Sequence, residues 1–337
     1  VFSRRRSRSG GSGTEEMGSE QMRLGFLYAG QGSQHPGMGA DLYESYPAFR
    51  RVLDQAAEEV DFDLKEVSFQ DRQGILNETR YTQPCMVAFA AGLTAVLEER
   101  GVVPAAAAGL SLGEYSALHA AGVFDARTAV GLTAFRGRAM EEAAAGRESA
   151  MMAVLGMGRE LLQAACDEAA ALGCVTIANY NCPGQLVIGG ERAAVERAAA
   201  LAKEKGAKRC LPLNVSGPFH TPLMAPAGEA LREYFKGIDF AAPRIPVVFN
   251  CLGDTAGGAS IPELLVRQVQ SSVWMEDSIR RLASMGLDAL VEIGPGKALS
   301  GFVRKTAPEL RVVAVETAAD VEALPEKLLE LAGKERP

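Results

Sequence analysis

The 337-residue chain holds only three histidines, His35, His119 and His220, and its six cysteines include no Cys-x-x-Cys pair. No zinc-ligand spacing can be assembled from these residues and no disulfide framework is suggested. Neither a metal nor a cofactor is therefore expected, and a reducing cytoplasm is the simplest setting. An apolar run long enough to span a bilayer is also missing; the longest, residues 86–97, fits a buried helix instead. Positive charge is not in excess, since 35 Lys and Arg face 42 Asp and Glu for a formal net charge of −7. That balance argues against nucleic acid or an anionic membrane as the main partner. Residues 1–21 are basic, then rich in Gly and Ser, with no apolar segment of a secretory signal, and Glu15, Glu16 and Glu20 count against a transit peptide. They are expected to form a disordered extension: a tag, a leader, or a misplaced start ahead of Met17 or Met22.

What is present is an ordinary globular composition, 47% hydrophobic and 23% charged, sufficient for one large core with a second domain inserted or appended. Strand-like and helix-like runs alternate from Leu24 onward, the signature of an α/β fold with a largely parallel sheet. Strands are expected at 24–29, 102–108, 245–250 and 289–293, and helices at 40–60, 83–100, 114–121, 126–145, 262–270 and 275–285. Between them, residues 149–213 read as strand, helix, strand, strand, helix, strand, a ferredoxin-like order. The expected organisation is a large domain from 22–148 and 214–320, a small domain at 149–213 inserted into it, and a C-terminal amphipathic helix or tail at 321–337.

Gly109-Leu110-Ser111-Leu112-Gly113 lies between an apolar strand and a helix that stops at Gly122. Strand, sharp turn and helix form the setting of a nucleophile elbow. The two glycines permit a tight turn and close approach by another element. Ser111 would then sit strained at a helix start, where backbone N–H groups can receive an oxyanion.

A serine nucleophile needs a base. His220 stands in the turn-rich loop Ser216-Gly217-Pro218-Phe219-His220, whereas His119 falls inside a helix and His35 in a polar loop. Imidazole can take the serine proton and return it to a leaving thiolate. Its own partner is open at this point: Asp239 and Glu292 are candidates by position, and a backbone carbonyl would serve as well. Gly30-Gln31-Gly32-Ser33-Gln34 follows the first strand and could complete an oxyanion hole with the N–H of Leu112. It lacks the Lys-Ser/Thr ending of a phosphate loop. Arg136 and Arg138 flank Gly137, a helix-weakening residue of the kind kept where something approaches closely.

Together with Asn179-Tyr180-Asn181-Cys182-Pro183-Gly184-Gln185, Val266-Arg267-Gln268 and Glu292-Ile293-Gly294-Pro295-Gly296, these segments resemble the malonyl-CoA:acyl carrier protein transacylase family. The resemblance spans about residues 24–317. It implies an α/β-hydrolase-like body with a ferredoxin-like insert, and ping-pong transfer of malonyl from malonyl-CoA to the thiol of holo acyl carrier protein by a monomeric enzyme of fatty acid biosynthesis. It further implies Ser111 as the acylated nucleophile, His220 as its base, and Gln268 as the residue whose backbone carbonyl orients His220. Gln31 and Leu112 would supply the oxyanion hole, and Arg136 would bind the malonyl carboxylate, with Asn181 and Phe219 beside the substrate.

Two positions depart from the family pattern. Leu110 stands where histidine is usual and Ala29 where proline is usual; the first puts the polarity of the acyl pocket in question. Phe219 is similar to the residue of malonyl-selective members. The rivals are a serine hydrolase or thioesterase, which requires an acid between Ser111 and His220 in chain order, a polyketide-pathway acyltransferase, and a binding scaffold with a decayed site.

Overall fold

The computed structural model of the chain describes residues 3–4 and 20–333. Most of the expected N-terminal extension therefore lies outside the described residues; within it, β1 (Ser3–Arg4) pairs antiparallel with β2 (Glu20–Gln21). The remaining strands are β3 (Leu24–Tyr28), β4 (Pro104–Gly109), β5 (Ser149–Leu155), β6 (Val175–Cys182), β7 (Gln185–Glu191), β8 (Arg209–Pro212), β9 (Val247–Phe249), β10 (Asp254–Thr255), β11 (Ala289–Ile293) and β12 (Arg311–Val315).

Six of them form one sheet in the order β10-β9-β4-β3-β11-β12, parallel throughout except for the β10–β9 edge. Its two faces follow the two-residue period of a strand. Phe26, Tyr28, Ala107, Val291 and Ile293 enter one core, while Leu27, Ala106, Ala108, Val248 and Leu290 enter the other. Strand β4 is nearly all alanine, a strong helix former. Burial between β3 and β9 overrides that preference and keeps the strand thin enough for helices to approach closely.

A separate antiparallel sheet has the order β6-β7-β5-β8. Helices Arg159–Ala169 and Arg192–Glu204 cover it with a core that includes Val154, Leu162, Ile177, Ile188 and Val195. This sheet meets the larger body at Val273, between helices Ile261–Val269 and Met275–Ala283: Val273 N–H donates to Ala178 O at 2.8 Å and Tyr180 N–H to Val273 O at 2.9 Å.

Several boundaries differ from expectation for visible reasons. The helix expected over 40–60 breaks into Ala40–Ser45 and Pro47–Ala57, because a residue before proline avoids the helical region and Tyr46 is extended at φ −123°, ψ 112°. The C-terminal helix Ala318–Gly333 places Val321, Leu324 and Leu328 in the same core as Phe26, so it packs as part of the larger body. Strand β12 and helix Ala225–Phe235 were not anticipated.

Candidate active site

The pentapeptide occupies the turn between β4 and helix Gly113–Ala120. A Cβ on Gly109 would lie 2.0 Å from the Gly113 carbonyl oxygen, and one on Gly113 would lie 2.5 Å from Tyr28 O. Backbone fills both places, so no other residue fits. Ser111 is left with φ of 53°, a left-handed conformation that costs a residue with a Cβ on the order of 1–3 kcal/mol.

Around Ser111 Oγ the chain brings together residues far apart in sequence. His220 Nε2 lies 2.8 Å away and Arg136 Nη2 3.1 Å away. His220 Nδ1 is 2.9 Å from the carbonyl oxygen of Gln268. A carbonyl only accepts, so the Nδ1 nitrogen carries the proton and the Nε2 lone pair faces Ser111. Burial, and then the positive charge of Arg136, push the His220 imidazole down to about 4, against the Gln268 carbonyl, which favours the protonated form. The imidazole is therefore neutral at physiological pH and free to accept a proton.

Arg136 is fully buried, 0% exposed, on helix Ala126–Ala144. Its Nη1 donates to Gln83 Oε1 at 2.8 Å and its Nη2 to Gln268 Oε1 at 2.8 Å, and its Nε has no partner among the described residues. The guanidinium lies 5.5 Å from the ring centre of Tyr115. Gly137 next to it packs against the start of helix Thr79–Glu99, where a Cβ would stand 2.8 Å from Arg80 Cα. Close helix approach explains that glycine and brings Gln83 to the arginine.

Two backbone donors near the serine are idle. Neither Gln31 nor Leu112 gives its N–H to an acceptor among the described residues, while the Gln31 side chain donates to Thr79 Oγ1 at 3.1 Å. A cavity of about 620 Å³ opens above Ser111, lined by Gln31, Leu110, Gln83, Asn181, Phe219 and His220 among others. Asn181 Oδ1, buried at its edge, has no partner among the described residues. Arg136, Gln268 and Leu112 lie behind this wall.

The open question about the partner of His220 closes on the carbonyl, and both acid candidates are corrected. Asp239 is exposed. Glu292 is buried but accepts from Leu299 N at 3.0 Å and Ser300 N at 2.7 Å, capping helix Ala298–Thr306. His119 bonds Phe124 O, and His35 bonds Glu316. Sequence reasoning missed Gln83, Glu114 and Asn250. Their partners lie 53 to 139 residues away, so no local sequence signal marks them.

Comparison with known proteins places the chain in a family. The family model described as the acyl transferase domain matches residues 25–328. The malonyl CoA-acyl carrier protein transacylase of Bacillus subtilis is 42% identical over 302 residues, covering 89% of this chain and 95% of that protein. Among solved structures, the transacylase of the same name from Clostridium perfringens superposes with a TM-score of 0.89 at 38% identity, covering 92% of this chain and 98% of that one. A malonyl-transacylase solved in complex with a holo type II PKS acyl-carrier protein gives 0.87 at 38% identity, covering 90% and 99%. This chain belongs to the malonyl CoA-acyl carrier protein transacylase family of acyl transferases.

Proposed function

We propose that this chain transfers the malonyl group of malonyl-CoA to the pantetheine thiol of holo acyl carrier protein through a malonyl ester on Ser111, in fatty acid biosynthesis. The observation that carries the reading is the fully buried Arg136 guanidinium 3.1 Å from Ser111 Oγ. A fixed buried cation beside a nucleophile favours an acyl group that ends in a carboxylate. On binding, that carboxylate replaces neutral amide oxygens of Gln83 or Gln268 with a charge-assisted, two-pronged partner.

The steps use residues already in place. Ser111 gives its proton to His220 Nε2 as Oγ attacks the thioester carbon. The N–H groups of Gln31 and Leu112 receive the oxyanion. Collapse expels the CoA thiolate, which takes the proton back from His220. The carrier thiol then repeats the sequence in reverse, its proton passing through His220 to Ser111. Gln268 orients the imidazole, Phe219 limits room beside the α-carbon, and Asn181 offers its free Oδ1 to the bound substrate. No metal or cofactor takes part in this chemistry.

The architecture proposed with it is an α/β-hydrolase-like domain over 22–148 and 214–320 with a ferredoxin-like insert at 149–213, acting as a monomer in the cytoplasm. A second reading keeps the chemistry and changes the carrier, to one of polyketide synthesis; its support is the structural neighbour bound to such a carrier. A hydrolase reading lacks its acid, since His220 Nδ1 faces a carbonyl. Intact-mass measurement after brief exposure to malonyl-CoA tests the proposal. A malonyl adduct on the wild type that disappears in Ser111→Ala is expected. No adduct would sink it, and rapid CoA release without carrier protein would favour the hydrolase.

A further inference from the structure

Between Leu110 and Gly113 every backbone N–H but one is occupied. Leu110 N–H donates to Tyr28 O at 3.0 Å, Gly113 N–H to Leu110 O at 2.9 Å, and Ser111 N–H to Asn250 Oδ1 at 2.7 Å. Only the Leu112 N–H is left unbonded among the described residues. Asn250 also donates from Nδ2 to Gly109 O at 2.6 Å, so one primary amide grips the turn at two points.

We propose that Asn250 is a positioning residue for Ser111. It clamps the strained turn and, by holding the Ser111 N–H, leaves Leu112 as the one amide of the turn available to the oxyanion. The inference rests on the reading of Ser111 as the acylated nucleophile.

The fold explains why this position can do so. Asn250 directly follows β9, the parallel neighbour of β4, with Val248 paired to Ala108. Its side chain therefore stands level with the end of β4, where Gly109 begins the turn. Its own main chain is fixed on both sides, with N–H to Glu114 Oε2 at 2.6 Å and O from Trp274 N–H at 2.8 Å. The residue is fully buried. The site demands one acceptor and one donor on a single planar carbon, which an amide supplies and an ionised carboxylate or an aliphatic group does not. A left-handed serine persists only where its surroundings over-determine it. Here Asn250 holds its N–H, and Gln268 Nε2 holds its carbonyl at 2.8 Å.

The test follows malonyl-enzyme formation in time for the wild type, Asn250→Ala and Asn250→Asp. For Asn250→Ala the rate at saturating malonyl-CoA should fall about 10- to 100-fold, less than the roughly 10²- to 10³-fold cost of losing an oxyanion-hole donor outright, because the Leu112 N–H remains. KM should move less than about threefold, because Arg136 and its ligands are untouched. In Asn250→Asp the new carboxyl is acceptor-only when ionised and regains a donor when protonated. Its rate relative to the wild type should therefore rise as pH falls from 8 to 5.5. Glu114, Arg136 and His220 are the ionisable groups around the turn, and the wild type, measured in parallel, carries their titration. A side chain that merely fills space would show no such recovery. Wild-type acylation by Asn250→Ala, or a pH-independent ratio for Asn250→Asp, overturns the proposal. If Asn250→Ala does not fold, the ratio for Asn250→Asp decides alone. Absence of an adduct on the wild type would instead overturn the reading of Ser111.

Discussion

His220 is oriented by a neutral main-chain atom, the Gln268 carbonyl oxygen 2.9 Å from its Nδ1. In a Ser-His-Asp triad a buried carboxylate occupies that place and stabilises the imidazolium. Here the charge nearest the base is Arg136, of the wrong sign, and it is the second cause, after burial, of the low affinity of His220 for a proton. Under the proposed function, a substrate carboxylate seated on Arg136 would cancel that charge, and the base would strengthen when the correct acyl group arrives.

A pH profile should show this. The active form of His220 is the neutral one, so activity is kept above its pKa and lost as pH falls through it. With the free-enzyme value pushed down to about 4, kcat/KM for malonyl-CoA should stay level from about pH 8 to about pH 5 and fall below that. The acid limb of the saturated acylation rate, which reports the substrate complex, should lie at higher pH. An identical limb for both quantities would contradict the charge-cancelling argument.

Gln268 reaches the site through two different atoms, and a substitution separates them. Gln268→Ala keeps the carbonyl that holds His220 and removes the Oε1 that accepts from Arg136 and the Nε2 that donates to Ser111 O. Acylation by malonyl-CoA should drop on the order of tenfold, about the effect of one hydrogen bond to a charged group. Discrimination against acetyl-CoA should narrow. His220→Ala removes the base and should cost far more, on the order of 10²- to 10⁴-fold. Equal losses in the two variants, compared by adduct formation, would mean that the Gln268 side chain, rather than its carbonyl, orients the imidazole.

Arg136→Ala should abolish the preference for a carboxylate-bearing acyl group. Breaking a buried charge pair costs about 3–5 kcal/mol, or roughly 10²- to 10⁴-fold in malonyl-CoA kcat/KM. Acetyl-CoA should lose little and overtake it. Arg136→Lys should not rescue, because an ammonium cannot keep an amide partner in the guanidinium plane while offering a two-pronged face to the carboxylate. Competition between the two thioesters in one tube reads the preference directly.

Much of the site was legible in the sequence, and the parts that were not share a physical cause. The pentapeptide and Gly30 announce themselves because close backbone approach leaves glycine as the only option, and Gly32 does so through its φ of 112°. The break at Tyr46 follows from Pro47, which dictates an extended neighbour, although the expected helix ran unbroken over 40–60. Arg136 reads locally as an ordinary helical arginine, and only its family resemblance assigned it to the substrate. Gln83, Glu114 and Asn250 act on partners 53 to 139 residues away or on a neighbouring strand, and no local pattern records such a meeting. Asp239 and Glu292 were candidate acids by position. Position in the chain does not say where a carboxylate points, and Glu292 spends both oxygens on a helix end.

Gly137 supplies a stability test that also reaches the site. Alanine there gains helix propensity of about 1 kcal/mol over glycine. Its Cβ, however, would stand 2.8 Å from Arg80 Cα and 2.9 Å from Thr79 O. These are backbone atoms that cannot swing aside, so helices Thr79–Glu99 and Ala126–Ala144 must separate. Overpacking of this kind costs about 1–3 kcal/mol, sometimes more, which outweighs the propensity gain. Gly137→Ala should therefore lower stability by up to about 2 kcal/mol in urea unfolding. Gln83 and Arg136 sit on the two helices that part, so the 2.8 Å contact between them lengthens too. KM for malonyl-CoA should rise while His220, held from the other side by Gln268, keeps its pH limb in place. A variant as stable as the wild type with unchanged KM would show that the helices accommodate the methyl group and that glycine here is not required by close approach.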